Sequence, residues 1–333
     1  MSGAGRNVLV LGAQGVLGSM VARAFADEGW RVVRAGRRPE VSEGFTLVDL
    51  DRPDTLRVAL DGIDLVANPV PDERLVAERV VLERGPAIVN VSAVPADLGW
   101  TLKRETGGAT GIALVHAGNV PGVASLVAAD LLRAHPEADE LELAFTISAG
   151  ATSGRGGAGL MHRYLTAARR HPTFSAELGP PMGTRMCFEI GPNERGWLAP
   201  DVLAGRTVRL GIYFRERPLQ ALFRTLNGLH LMAGIPRVTF VAGRRRPPDV
   251  ASKEPIAEWV AVNRAGERLA ARAILGRGDY RVTSAATVAF GEALVELRAT
   301  QPSRGGVFSP EELFELSQLG PGFERRGISV EAR

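Results

Sequence analysis

The fold is decided by residues 8–39, VLVLGAQGVLGSMVARAFADEGWRVVRAGRRP. A short apolar run leads into three glycines spaced three residues apart, Gly12, Gly15 and Gly18. The segment after Gly15 carries apolar side chains at helical spacing and ends at Gly29, and a second apolar run follows. The stretch therefore predicts a β-strand, a tight turn, an amphipathic helix and a second strand.

The three glycines sit where a dinucleotide-binding turn needs them. Glycine permits the tight turn, the close approach of the backbone to a pyrophosphate and the close packing of the helix on the strand. The free N–H groups and the dipole of the helix N-terminus favour the negative charge of the phosphates. We predict that a nicotinamide dinucleotide binds to the turn residues Gly12, Gln14, Gly15, Val16 and Gly18.

The end of the second strand indicates which dinucleotide binds. An NAD-binding chain typically offers an Asp or Glu to the ribose hydroxyls there, whereas this chain has Arg37 and Arg38 after Gly36. Two guanidinium groups suit a 2′-phosphate, so we expect NADP(H). The alternative is a solvated pair of surface arginines.

Further cofactor contacts are expected at the ends of later strands, because open α/β sheets bind ligands at the carboxyl edge. Asp49 closes the third strand, where it contacts the adenine or serves as a turn residue before DRPDTL. Asn68 and Pro69 close the fourth strand and Ser92 the fifth.

Residues 7–118 contain six runs rich in Val, Ile and Leu, which alternate with helical patterns: NVLVLG, RVVRAG, FTLVDL, IDLVAN, AIVNVS and IALVHAG. This alternation predicts an α/β fold with a Rossmann doubly wound parallel sheet. From residue 136 strand and helix patterns mix, and a hairpin is expected around NRAG. The C-terminal part of the chain is expected to be helical, with Ser309 as the N-cap of a helix. We expect an NADP-binding domain over 1–135, a mixed α/β substrate and dimerisation domain over 136–280, and a C-terminal helical return over 281–333.

Composition narrows the function classes. The 40 basic and 37 acidic residues leave a net charge of +3, so nucleic-acid binding is not expected. The basic run at residues 243–246 is interpreted as a solvated loop, and RNA or DNA binding through it is the lesser alternative. The single Cys187 and five histidines provide no zinc-finger spacing, so no metal is expected. No apolar run approaches a membrane span, and we expect a cytoplasmic protein.

One common chemistry of glycine-turn enzymes is excluded by the sequence. Short-chain dehydrogenases and epimerases use a Tyr and a Lys four residues apart on one helix face. None of the three tyrosines has a lysine at that spacing.

The chain resembles the saccharopine dehydrogenase-like, or saccharopine reductase-like, family of oxidoreductases. The resemblance rests on residues 10–38, on DLVANPVPDERLVAERVVLERGPAIVNVSA, on GNVPGVASLVAADLL, and on DYRVTSAATVAFGEALVEL followed by GGVFSPEELFEL. It implies an NADP-linked Rossmann domain, a mixed α/β domain for substrate and dimer contacts, and a C-terminal return to the first domain. Members that handle amino-acid substrates often carry an Asp before Pro-Gly, where this chain has Val120, so such substrates are not implied.

Candidate substrate and catalytic residues follow from two segments. Asn119 precedes Pro121 and is either a helix cap or a substrate contact. Residues 148–165, SAGATSGRGGAGLMHRYL, are either a mobile connector or a loop over the nicotinamide. In the second interpretation Arg155 binds an anionic group of the substrate, and Tyr164 or His162 donates a proton.

These observations predict an NADP-dependent oxidoreductase that transfers hydride to or from a C=N, C=O or activated C=C bond of a small metabolite. The alternative is a non-catalytic NADP-sensing or regulatory protein of the same fold. We expect a small-molecule substrate and a homodimer, with no nucleic-acid or membrane partner.

Overall fold

The computed structural model describes residues 6–91, 96–148, 155–191, 198–237 and 253–333. The chain divides into two compact units. The first contains Met1–Val123 and Thr283–Arg326, and the second contains Ala124–Val282 and Gly327–Arg333. The chain therefore leaves the first unit, builds the second, and returns to the first before its last seven residues.

Fourteen strands lie in the described part of the chain. They are β1 (Asn7–Val10), β2 (Arg31–Gly36), β3 (Phe45–Leu47), β4 (Leu65–Asn68), β5 (Ala87–Asn90), β6 (Ile112–Leu114), β7 (Glu140–Ile147), β8 (Thr173–Glu177), β9 (Thr184–Glu189), β10 (Thr207–Phe214), β11 (Pro255–Arg264), β12 (Glu267–Arg277), β13 (Gly306–Phe308) and β14 (Ser329–Ala332).

The same ranges contain eleven α-helices. They are α1 (Val16–Asp27), α2 (Pro53–Ala59), α3 (Val76–Arg84), α4 (Ala96–Glu105), α5 (Val123–Ala134), α6 (Arg155–Thr166), α7 (Pro200–Leu203), α8 (Arg217–Gly228), α9 (Asp279–Thr300), α10 (Pro310–Leu313) and α11 (Leu316–Arg325). A 3-10 turn spans Met232–Gly234.

The first unit is built on a seven-stranded parallel sheet of order β13-β6-β5-β4-β1-β2-β3. Its buried cluster joins strand residues such as Leu9, Val66 and Ile88 to Leu56 of α2 and Leu102 of α4. The chain reverses its direction of winding between β1 and β4. This reversal opens the crevice at the carboxyl ends of those strands, where doubly wound sheets bind nucleotides. The predicted α/β fold with a Rossmann sheet is confirmed.

The second unit is built on a mixed sheet of order β14-β12-β11-β7-β10-β9-β8. Strands β7 and β10 pair in parallel and the other neighbours pair antiparallel. A buried cluster on this sheet includes Trp259, Tyr213, Phe174 and Cys187. Burial raises the pKa of the Cys187 thiol, so this side chain is a packing residue in the folded protein.

Several elements were not predicted. Strands β8 and β9 were not predicted from the sequence, although β8 alternates exposed and buried residues as a strand at a sheet edge does. The C-terminal part of the chain was expected to be helical, yet it also supplies β13 to the first sheet and β14 to the second. The hairpin expected at NRAG is present as β11 and β12, with Ala265 and Gly266 both at positive φ. Ser309 caps α10 through a capping box with Glu312, as predicted.

Candidate cofactor site

The three glycines have separate structural roles in the turn between β1 and α1. Gly12 has a φ of +58°, which favours glycine, and a Cβ there would lie 2.7 Å from Cγ2 of Val70. A Cβ at Gly18 would lie 2.1 Å from the carbonyl oxygen of Gly12, so Gly18 permits the helix to touch the turn. Gly15 is exposed, and its Cβ would meet only the oxygen of Gly12, at 3.2 Å. Gly12 and Gly18 are thus required by the fold, whereas a Cβ at Gly15 would make a single tight contact.

The N-terminus of α1 is free to receive an anion. The helix starts at Val16, and the amide of Ser19 donates to the carbonyl of Gly15 at 2.9 Å. The amides of Val16 and Leu17 precede this bond and have no acceptor within the helix. The first turn contains no acidic residue, and no side chain caps it. A pyrophosphate fits this position because unpaired amides and the helix dipole attract negative charge.

Gln14 fixes the loop that follows β2. Its side chain lies against Gly36, where a Cβ would stand 2.7 Å from Gln14 Oε1. Gln14 Nε2 donates to the carbonyl of Arg38 at 3.1 Å and to Oε2 of Glu40 at 3.3 Å. Gln14 therefore joins the glycine turn to the loop that carries the arginine pair.

The guanidinium groups of Arg37 and Arg38 are exposed. Within the described ranges neither of them forms an ion pair with a carboxylate. The nearby acid, Glu40, instead pairs with Arg34 at 2.8 Å and accepts a hydrogen bond from Ser42 at 2.9 Å. The arginine pair is therefore available to a phosphate. Glu40 was not predicted as a functional residue, although a carboxylate two residues after an arginine pair at a strand end is a visible signal.

Asp49 serves the turn before α2. Its Oδ1 accepts from the amide of Asp51 at 3.1 Å, and its Oδ2 pairs with Arg52 at 3.2 Å. The turn interpretation of this residue accounts for these contacts, and its contact with adenine stays a prediction.

A buried cluster of polar side chains, which was not predicted from the sequence, links the ends of β4 and β5. Asn68 and Asn90 both donate to Oε1 of Glu78 in α3, at 2.7 and 2.6 Å. Asn68 Oδ1 also accepts from the amide of Val70 at 3.0 Å, which shapes the turn against Gly12. Burial raises the pKa of the Glu78 carboxyl. The side chain of Asn68 is thus engaged within the protein, while Pro69 is partly exposed at the cofactor edge. Ser92 lies outside the described residues.

The segment after β6 is buried and tightly bent. His116 is 2% exposed and has a φ of +57°, a strained conformation for a residue other than glycine. Asn119 is 4% exposed, and the Val120–Pro121 peptide bond is cis. A Cβ at Gly122 would lie 2.0 Å from the oxygen of Gly118, so the loop closes on itself. Both roles expected for Asn119, cap and substrate contact, stay predictions.

The remaining candidates lie in the second unit. Tyr164 is 4% exposed, and its ring packs edge-on against Phe145 of β7 at 6.4 Å between centroids. His162 is partly buried, with Nε2 3.2 Å from the carbonyl oxygen of Ile235. Arg155 begins α6, but its side chain lies outside the described residues, as do residues 149–154 and the basic run at 243–246.

A cluster of polar side chains that was not predicted from the sequence lies at the ends of β7 and β10. Ser148 donates to Glu216 at 2.9 Å, and Arg215 pairs with Glu216 and Glu254 at 2.9 and 2.5 Å. Arg185 of β9 is 9% exposed and donates to the carbonyl of Arg215 at 3.4 Å. In the described part of the chain its guanidinium has no carboxylate partner. A buried cation of this kind is costly unless an anion binds to it.

The geometry of the first unit defines a Rossmann-type dinucleotide-binding fold. A parallel sheet in Rossmann order, a glycine turn against the N-terminus of α1 and, in the described part of the chain, an arginine pair without an ion-pair partner after β2 form an arrangement that suits a dinucleotide. The described residues contain no group of three or more His, Cys, Asp or Glu side chains placed to hold a metal ion. No helix in these ranges combines the length and the apolar character needed to cross a membrane.

Comparisons with known proteins agree with this fold. Residues 8–80 match the NAD dependent epimerase/dehydratase family, and no curated protein matches the chain by sequence. Apo saccharopine dehydrogenase (L-Glu forming) from Saccharomyces cerevisiae has a similar structure, with a TM-score of 0.63 at 11% identity over 99% of this chain and 100% of that one. A mutant of meso-dapdh from Clostridium tetani E88, solved with DAP, gives 0.52 at 13% identity over 95% and 96%. The resemblance to saccharopine dehydrogenase is therefore confirmed at the level of the fold.

Proposed function

We propose that the protein is an NADP(H)-dependent oxidoreductase that transfers hydride to or from a C=N, C=O or activated C=C bond of a small metabolite. The single observation that carries the proposal is the exposed Arg37–Arg38 pair, which forms no ion pair with a carboxylate of the described residues and lies on a loop joined by Gln14 to the glycine turn. The turn binds the pyrophosphate and the arginines bind the 2′-phosphate. The nicotinamide, when bound, supplies or accepts the hydride.

Cofactor choice tests this proposal directly. We expect NADPH to bind more tightly than NADH in a fluorescence titration, because each charge-assisted hydrogen bond to the 2′-phosphate contributes about 1.5–3 kcal/mol before screening. The double variant Arg37→Ala, Arg38→Ala should lose this preference and keep its affinity for NADH. The matched control is Arg23→Ala, Arg31→Ala, which removes two other exposed arginines of the same unit. Equal affinities of the wild type for the two cofactors would refute NADP(H) specificity.

For substrate binding and proton transfer we propose roles for residues of the second unit. Arg155 and the buried Arg185 are proposed to bind an anionic group of the substrate, and His162 or Tyr164 to donate a proton. Under this proposal Arg155→Ala raises KM for an acidic substrate and leaves the Kd of NADPH unchanged.

A second candidate function is NADP(H) sensing without turnover. The observation that favours it is the burial of Tyr164, whose ring packs into the second unit. A sensor binds NADPH but does not oxidise it with any carbonyl, imine or enoyl substrate, whereas an enzyme oxidises it with at least one. Absorbance at the NADPH band across such a substrate panel separates the two.

A further inference from the structure

Glu40 is a carboxylate at the place where cofactor choice is made. It follows Arg38 by two residues, and Gln14 Nε2 contacts both the Arg38 carbonyl and Glu40 Oε2, at 3.1 and 3.3 Å. An unneutralised carboxylate in this loop would act against a 2′-phosphate in two ways. It would repel the phosphate, and it would compete for the guanidinium groups of Arg37 and Arg38.

In this protein the charge of Glu40 is already matched by Arg34. Arg34 Nη1 and Nη2 lie 2.8 and 3.3 Å from the two carboxylate oxygens, a bidentate pair. Ser42 Oγ donates to Glu40 Oε1 at 2.9 Å. The Ser42 hydrogen bond is the main reason that the pKa of Glu40 is lowered, and Gln14 and Arg34 add to this effect. Glu40 is therefore ionised, and Arg34 is its only cationic partner in the described part of the chain.

The pair is also held in a defined geometry. Arg34 and Gly36 lie two residues apart on β2, so they share one face of the strand, and Gln14 lies against Gly36 on that face. The side chains of Arg34 and Glu40 are 37% and 28% exposed, so solvent screens the pair only in part.

We propose that Arg34 sets the choice of NADP(H) over NAD(H) by neutralising Glu40, which leaves Arg37 and Arg38 free for the 2′-phosphate. Arg34 is a positioning residue in this proposal, since it acts through Glu40. The inference rests on the proposed NADP(H)-dependent function and goes beyond it by naming the residue pair that controls specificity.

A rescue experiment tests the proposal through equilibrium binding of NADPH, NADH and 2′-AMP at fixed, low ionic strength. In Arg34→Met the Kd of NADPH and of 2′-AMP should rise about fivefold or more, because an uncompensated charge now faces the phosphate. The Kd of NADH should stay unchanged or fall. The double variant Arg34→Met, Glu40→Gln should return the Kd of NADPH to within about twofold of the wild type, because the carboxylate is removed. Glu43→Gln, an exposed carboxylate of the same loop, is the matched control.

Comparison of Arg34→Met with the double variant separates charge compensation from a merely structural role of the Arg34–Glu40 pair. If the pair only held the loop in shape, the double variant would bind NADPH as weakly as Arg34→Met, and that result would overturn the proposal. An unchanged preference in Arg34→Met would overturn it as well. Melting temperatures of all variants show whether each one is folded. If the Arg37, Arg38 double variant loses the preference for NADPH over NADH but the Arg34→Met variant keeps it, this inference alone is refuted. If the wild type shows no such preference, both this inference and the proposed NADP(H) specificity are refuted.

Discussion

Replacing Gly15 by valine should remove cofactor binding and leave the fold in place. Gly15 is the N-cap of α1 with φ −84° and ψ 164°, an extended conformation that a β-branched residue adopts without strain. A Cβ there meets only the oxygen of Gly12, at 3.2 Å, a tight contact that the turn relieves by a shift of a few tenths of an ångström. The cost to stability is that of a poor N-cap residue, about 1 kcal/mol, which lowers Tm by about 2–4 °C.

The cost to binding should be much larger, because we expect the two methyl groups to extend into the space in front of the α1 amides. If the pyrophosphate loses about two charge-assisted hydrogen bonds at about 1.5–3 kcal/mol each, the Kd rises by about two to four orders of magnitude. Both NADPH and NADH should be affected equally, since both carry the pyrophosphate. Differential scanning fluorimetry and fluorescence titration measure the two effects on the same sample.

Gly18→Ala provides the contrast within the same motif. Its Cβ would lie 2.1 Å from the backbone oxygen of Gly12, so helix and turn must move apart. We expect a stability loss of about 1–3 kcal/mol or more, larger than that of the Gly15 variant despite the smaller side chain. Binding of NADPH to Gly15→Val within about threefold of the wild type would refute the placement of the pyrophosphate at this turn.

The remaining predictions concern the second unit. Burial raises the pKa of Asp279, at the start of α9, from 3.8 to about 6. The folded state therefore binds more protons than the unfolded state between those values, and stability falls as pH rises through this window. Asp279→Asn keeps a residue suited to a helix N-terminus and removes the titrating carboxyl. The Tm of the variant minus the Tm of the wild type should therefore be larger at pH 7 than at pH 4. An equal Tm difference at the two pH values would contradict the raised pKa of Asp279. His162→Asn should lower kcat about tenfold or more without changing the Kd of NADPH, and unaltered turnover would exclude it as the proton donor. Tyr164→Phe keeps the packing against Phe145, and we expect a lowered kcat, whereas an unchanged kcat would leave the tyrosine as a core residue.

Much of the first unit was predictable because its signals are local. The six strands of residues 7–118 were identified from runs of apolar residues, and the glycine turn from spacing within seven residues. A backbone that needs positive φ at Gly12 and no Cβ at Gly18 imposes this requirement on neighbouring positions, so the sequence displays it directly. The arginine pair is equally visible, since strand ends of a parallel sheet converge at one edge.

Pairing between distant parts of the chain was decided only by the tertiary structure. Strand β13 pairs with β6 in the first sheet, although almost two hundred residues separate the two strands in the sequence. The three residues of β13, Gly-Val-Phe, do not by themselves specify β6 as the neighbouring strand. The contacts of Glu78 with Asn68 and Asn90, and those of Arg185 with Arg215, likewise join side chains from separate elements.

The Arg34–Glu40 pair lies between these cases. Its residues are six positions apart and therefore visible together, yet only the fold of the loop, held by Gln14 from another element, turns Glu40 toward Arg34. Local preferences limit the conformations of a few consecutive residues, whereas the partner of a charged or buried side chain depends on which elements pack together. The sequence by itself therefore determined the nucleotide-binding turn and the class of fold, and the tertiary structure decided which charges around that turn are left for a ligand.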